Sequence, residues 1–158
     1  MTEKYFVDTN VLIYKFDAGY PAHASIAHQW LERLWRERTG IISTQVLKEF
    51  YGVMSRRITS EQPREQIRAV VRNLLTWPVV ETDGGVLETA WTIEDKGHCS
   101  WWDAMIIAAA QHAGCSAILT EDLGEHLMPP GMRLINPFAG AIHEPSAHYG
   151  VRPDRLPG

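Results

Sequence analysis

Long apolar runs are missing from this sequence. Nothing in it approaches the roughly twenty consecutive apolar residues of a bilayer-spanning helix, which argues against a helical membrane protein. Cysteine is scarce: Cys99 and Cys115 stand alone, with no Cys-x-x-Cys pair. They flank a predicted helix about 20 Å long, too wide a gap for a disulfide between them. The opening residues Met1-Thr2-Glu3-Lys4 run into a strand-like segment with no signal-like stretch. Two isolated thiols and no leader predict a reducing, cytoplasmic setting. Low-complexity segments and 20–50-residue repeats are also lacking. Positive charge is in deficit: 15 Lys and Arg face 19 Asp and Glu, for a net charge of −4. That balance by itself argues against a nucleic-acid binder.

What is present is 158 residues with 45% hydrophobic content, the scale of one domain with a real core. Charge is unevenly spread. From Arg33 to Arg72 nine Lys or Arg stand against four acids, a local +5, leaving −9 for the remainder. Such a bias is usually a set of solvated helix faces. A basic flank beside an acidic centre also suits a polyanion drawn to a metal site.

Apolar segments alternate between strand and helix periods. Tyr5-Phe6-Val7 reads as a buried strand that stops at Asp8, and Val11 to Tyr14 continues with helical spacing. Asp8 is either a turn residue with Asn10 as helix N-cap, or a carboxylate delivered to a site at a strand end. Pro21 opens a helix through Ile26, Trp30 and Leu34, with Gly40 as its C′ residue. Ile41-Ile42 is a second strand, ended by Ser43-Thr44. A helix from Gln45 to Arg57 carries Glu49 at the edge of its apolar arc. Glu49 has no basic residue three or four places away, so it is either a solvated surface acid or a group turned towards a shared site.

A further helix follows Ser60 and Pro63. Trp77 to Val80 is a third, edge-like strand because of Pro78, and Asp83 to Lys96 is a helix closed at Gly97. Trp101 to Ala113 is apolar on every side, the pattern of a buried helix, with Asp103 its one formal charge. Ser100 and Asp103 form a capping-box variant, which is compatible with a second role for Asp103. Ser116 to Thr120 is the fourth strand and runs into Glu121-Asp122. A turn-rich loop covers Leu123 to Pro130. Arg133-Leu134-Ile135 is the fifth strand, stopped by Asn136-Pro137-Phe138. From Ala139 the chain reads as a poorly ordered tail in which His143 and His148 are solvated.

This alternation predicts an α/β fold with a parallel sheet covered on both faces. In such a sheet the strand ends that precede helices share one edge, which gathers Asp8, Glu49 and Asp122. Asp103 does not follow from that rule alone; two helices between strands three and four would bring it to the same edge. Clustered carboxylates repel by about 4 kcal/mol for a pair 4 Å apart at an effective dielectric near 20, so they take up protons or hold a cation. An oxygen-only donor set suits Mg²⁺ or Mn²⁺ rather than Zn²⁺. Phosphodiester hydrolysis is the natural reaction class for such a site.

Five segments, in order, carry a family resemblance. They are Val7 to Leu12, Ser43 to Tyr51, Ser100 to Ala104, Leu119 to Leu123, and Asn136-Pro137-Phe138. The chain resembles PIN-domain proteins, in particular the VapC-type toxin ribonucleases, over about residues 4–138. The resemblance implies a PIN domain over 1–138 with a tail at 139–158, and a three-layer α/β/α sandwich around a parallel five-stranded sheet. It implies a site in which Asp8, Glu49, Asp103 and Asp122 hold Mg²⁺ or Mn²⁺ and hydrolyse RNA, with Asn10 and Thr120 lining it. It places the functional acid at Asp122 rather than Glu121. It also implies a homodimer and a cognate VapB-type antitoxin protein that blocks the site. A PIN nuclease of RNA maturation and a non-catalytic PIN binding module are the alternatives. A haloacid dehalogenase-like phosphatase is disfavoured, since that chemistry wants Asp-x-Asp and Asn10 stands at the second position.

Overall fold

The computed structural model describes residues 2–140. The predicted tail from 141 onward, with His143 and His148, lies outside the described residues. Five strands form one all-parallel sheet: β1 (Tyr5–Val7), β2 (Gly40–Ser43), β3 (Val79–Val80), β4 (Ala117–Leu119) and β5 (Arg133–Ile135). Their order across the sheet is β3-β2-β1-β4-β5. β1 therefore sits at the centre, with Tyr5 paired to Gly40 on one side and to Ala117 on the other. Every residue of β1, β2 and β4 is buried. Successive side chains of a strand point to opposite faces, so both faces of the sheet are covered, as the continuous apolar runs require.

Seven elements connect the strands. α1 (Thr9–Tyr14) follows β1 directly, then α2 (Pro21–Glu37) leads to β2. α3 (Thr44–Met54) and α4 (Arg64–Leu74) lie between β2 and β3. α5 (Gly84–Lys96) and α6 (Trp101–His112) lie between β3 and β4, and a 3₁₀ turn, α7 (Glu125–Leu127), precedes β5. α6 is buried over the whole of Asp103–Ala110, as its uniform apolarity predicts. Its outer side meets Val86 and Ala90 of α5 in a small satellite core.

Five local expectations are corrected. The N-cap of α1 is Asp8, in extended geometry at φ −77° and ψ 159°, and Asn10 is inside the helix. α2 ends on Arg38 in the left-handed region at φ 57°, not at Gly40. Gly40 is instead the first residue of β2, where Trp77 covers it: a Cβ there would lie 2.4 Å from the indole ring. The buried stripe of α2 is His23, Ala27, Leu31 and Leu34, while Trp35 is 50% exposed. Finally, α3 stops at Met54 and the strand at Trp77–Val80 is confined to Val79–Val80. Pro78 still serves the sheet, since its carbonyl accepts from Ile42 N at 3.3 Å. A residue without N–H is tolerated there because β3 is an edge.

Candidate active site

The strand order reverses direction at β1, with β2 to one side and β4 to the other, and such a switch point opens a crevice at the carboxyl ends of the strands. Asp8 is the first residue beyond β1 and is fully buried. Its Oδ1 accepts from Thr9 N at 2.8 Å and its Oδ2 accepts from the Thr120 hydroxyl at 2.8 Å. Thr120 stands just past β4, so two adjacent strand ends hold one carboxylate in a single orientation.

The same short turn after β1 reaches two further acids. Thr9 Oγ1 donates to Glu49 Oε2 at 2.7 Å. Asn10 Nδ2 donates to Asp122 Oδ2 at 3.0 Å, with a longer contact of 3.4 Å to Thr120 Oγ1. The backbone N–H of Asp122 donates to Thr120 Oγ1 at 3.2 Å, closing the turn after β4. Asp8, Glu49 and Asp122 are thus linked through Thr9, Asn10 and Thr120 at one edge of the sheet.

Asp103 arrives from α6. Gln45 Nε2 donates both to Glu49 Oε1 at 3.0 Å and to the carbonyl of Trp102 at 3.2 Å. The first turn of α6 is therefore fastened to the α3 side chain that holds Glu49, and Asp103 is the next residue. α6 begins at the same edge as the strand ends and descends to feed β4. Ser100 Oγ accepts from Asp103 N at 3.0 Å, the cap expected from the sequence. The positive end of the helix favours the carboxylate there. Its field reaches its surroundings: burial pushes the Cys99 thiol up, and the charges of Asp103 and then Glu94 push it further.

Glu121 goes elsewhere. Its carboxylate accepts from the Tyr14 hydroxyl at 2.9 Å and stands 3.7 Å from His23 Nε2. The chain thus separates two adjacent acids, sending Asp122 to Asn10 and Glu121 to a buried aromatic pocket.

Three participants, Gln45, Thr9 and His23, are not singled out by the sequence. Gln45 gives Glu49 a local partner four residues earlier, but as a neutral amide it is passed over by a search for basic residues. Thr9 lies in plain view between two singled-out residues, yet nothing local indicates that its hydroxyl points across to α3. His23 was signalled by spacing, being the first residue of the 23-27-31-34 stripe.

The donor chemistry fits a hard divalent cation. The four acids offer oxygen alone, without His or Cys among them. The buried Asn10 Oδ1, with no hydrogen-bond partner among the described residues, adds a neutral oxygen acceptor in the same cluster. Among the described residues, no three His, Cys, Asp or Glu are grouped closely enough to ligate one ion together.

The fold has close counterparts. A toxin–antitoxin complex from Klebsiella pneumoniae is similar over 85% of this chain and 98% of its own, at 20% identity and a TM-score of 0.63. VapC20 of Mycobacterium tuberculosis, a Sarcin-Ricin loop cleaving toxin, is similar over 75% and 90%, at 24% identity and a TM-score of 0.57. FitAcB from Neisseria gonorrhoeae is similar over 85% and 99%, at 17% identity and a TM-score of 0.67. At such identities the likeness shows a shared fold. No curated protein matches the chain in sequence. A sequence profile of the PIN domain does match, over residues 5–124, a span that runs from β1 past Asp122 and contains all four acids. With the five-stranded parallel sheet and the strand-end carboxylates already in place, that match over most of its length makes this chain a member of the PIN domain family.

Proposed function

We propose that the chain is a Mg²⁺- or Mn²⁺-dependent endoribonuclease, the toxin of a toxin–antitoxin pair. One observation carries the reading: Asp8, Glu49 and Asp122 are joined through Thr9, Asn10 and Thr120 at the carboxyl edge of the sheet, and Gln45 ties the start of the Asp103 helix to them. Asp8 and Asp103 make the main metal contacts, and Glu49 and Asp122 complete the shell directly or through water. When bound, the cation offsets charge on a phosphoryl oxygen and lowers the pKa of a water nucleophile. The protein's own part is preorganisation. Asp8 is held by two donors, and Glu49 by Thr9 and Gln45, so neither carboxylate must be reoriented as substrate arrives. Glu49 and Asp122 orient the attacking water.

The likeness to toxin–antitoxin complexes supports a cognate VapB-type antitoxin, and a homodimer belongs to the same proposal. An apolar groove of about 290 Å³ beside α1, α2 and α4, lined by Leu12, Leu31, Trp35, Val70, Leu74 and Trp77, suits an amphipathic helix of such a partner. Among the described residues no helix is long and apolar enough to cross a membrane.

The test is cleavage of total cellular RNA by purified, antitoxin-free protein, with Mg²⁺ or Mn²⁺ and with EDTA, beside the Asp103→Ala variant. Discrete products that require both metal and Asp103 are expected. Folded protein that cuts no RNA under any metal condition would overturn the reading.

A further inference from the structure

The Tyr14–Glu121 contact forms a second rung beside Asn10–Asp122. Asn10 and Tyr14 lie four residues apart on α1, hence on one face of the helix, one turn apart. Glu121 and Asp122 are neighbours in the turn after β4. Asn10 takes Asp122 at 3.0 Å and Tyr14 takes Glu121 at 2.9 Å. One helical face thus grips two consecutive carboxylates whose side chains diverge. The two residues share one planar peptide unit, so anchoring Glu121 narrows the backbone freedom left to Asp122.

The anchor is built, not incidental. Tyr14 is fully buried and His23 is 1% exposed. The Tyr14 ring stacks on His23 at 4.6 Å between centroids, and Phe138 stacks on the other partner of that pair, 4.9 Å from His23 and 4.7 Å from Tyr14. Asn136 Oδ1 accepts from Phe138 N at 2.9 Å and sets the bend that brings the ring in. The Asn136-Pro137-Phe138 segment, which contributes no ligand or acid to the site, thereby closes the pocket around Glu121. Glu121 Oε2 is buried without a hydrogen-bond partner among the described residues and faces the imidazole at 3.7 Å. Placing a carboxylate among aromatic rings is costly. The Tyr14 hydroxyl offsets part of that cost, and an apolar residue at this position would withdraw that bond from a buried donor.

We propose that Glu121 is a positioning residue. Held by Tyr14 and His23 under Phe138, it fixes the turn that aims Asp122 into the site. The inference rests on the nuclease reading for its catalytic consequence, but not for its effect on metal binding.

The test is a double-mutant cycle on the full chain with two readouts, Mn²⁺ affinity by electron paramagnetic resonance and steady-state RNA cleavage. Glu121→Ala and Tyr14→Phe are combined with Asp122→Asn. Misplacing one group by about 1 Å can cost on the order of a hundredfold in rate. Glu121→Ala is therefore expected to lower kcat roughly ten- to a hundredfold with KM little changed, and to weaken Mn²⁺ binding. Tyr14→Phe, which keeps the ring stack, moves both readouts in the same direction. Glu121→Gln, which keeps an oxygen for the Tyr14 hydroxyl, recovers most of the loss. In the Asp122→Asn background the Glu121→Ala change adds nothing further, because its effect passes through Asp122. Additive effects in that background, or a folded Glu121→Ala protein with wild-type kcat and Mn²⁺ affinity, would overturn the proposal. Wild-type protein that binds Mn²⁺ but cuts no RNA would overturn the nuclease reading alone, and the affinity arm of the cycle would still decide the role of Glu121.

Discussion

Thr120 donates its hydroxyl to Asp8 at 2.8 Å, and the two residues are 112 positions apart in the chain. The same hydroxyl oxygen accepts from the Asp122 N–H, so one small side chain serves two of the four acids. Thr120→Val keeps the shape and removes both bonds. It should cost about 1–3 kcal/mol, the penalty for withdrawing a partner from a buried polar group. Urea denaturation would measure the loss, and Thr120→Ser should restore most of it. Unchanged stability in Thr120→Val would show that the hydroxyl contributes nothing to holding Asp8.

Asp8 has two separable roles, since it caps α1 and belongs to the acid cluster. Asp8→Ala should abolish RNA cleavage while the circular dichroism spectrum stays that of the wild type. Losing the N-cap should also reduce stability by about 0.5–2 kcal/mol. Full metal-dependent cleavage by this variant would remove Asp8 from the site.

Gly40 pairs with Tyr5 in the sheet and lies under the Trp77 ring. In Gly40→Ala, the new methyl would need the indole or the strand to move. Overpacking of this kind should cost about 1–3 kcal/mol, read as a lower thermal midpoint. A matching Trp77→Leu change should relieve part of the cost, and a Gly40→Ala protein as stable as the wild type would show that the indole yields freely.

The two cysteines should differ sharply towards alkylating agents. Burial pushes the Cys115 thiol up to about 12. Only the thiolate reacts, so at pH 8 about one molecule in ten thousand is competent there. Cys99 is also raised, but it is only partly buried. Iodoacetamide followed by mass spectrometry should label Cys99 first and Cys115 only after unfolding. Equal labelling in the native protein would show that the start of β4 opens readily.

The sequence makes the architecture legible because each strand is a short apolar run stopped by a polar residue. Two of the stops, Asp8 and Thr120, belong to the cluster, and a third, Ser43-Thr44, opens the helix that carries Gln45 and Glu49. The buried helix at Trp101–His112 was plain from its uniform apolarity. What eluded the sequence was cross-chain geometry. No local pattern reveals that Thr9 reaches Glu49, or that Gln45 bridges α3 to α6. Gly40 shows the same difficulty: a helix-ending glycine and a glycine that makes room for an indole look identical in sequence. Adjacent acids posed the last problem, since the opposite orientations of Glu121 and Asp122 are set by Asn10 and Tyr14, more than a hundred residues earlier.

The central place of β1 has a consequence for synthesis on the ribosome. β1 is made first, yet one of its two neighbours, β4, comes after residue 116, and closing so long a loop is slow and entropically costly. Until β4 and the turn after it have emerged, Asp8 has no Thr120 to hold it and Asp122 has not been made. A growing chain therefore carries an incomplete acid cluster until the turn after β4 has been made, and the site is assembled only then.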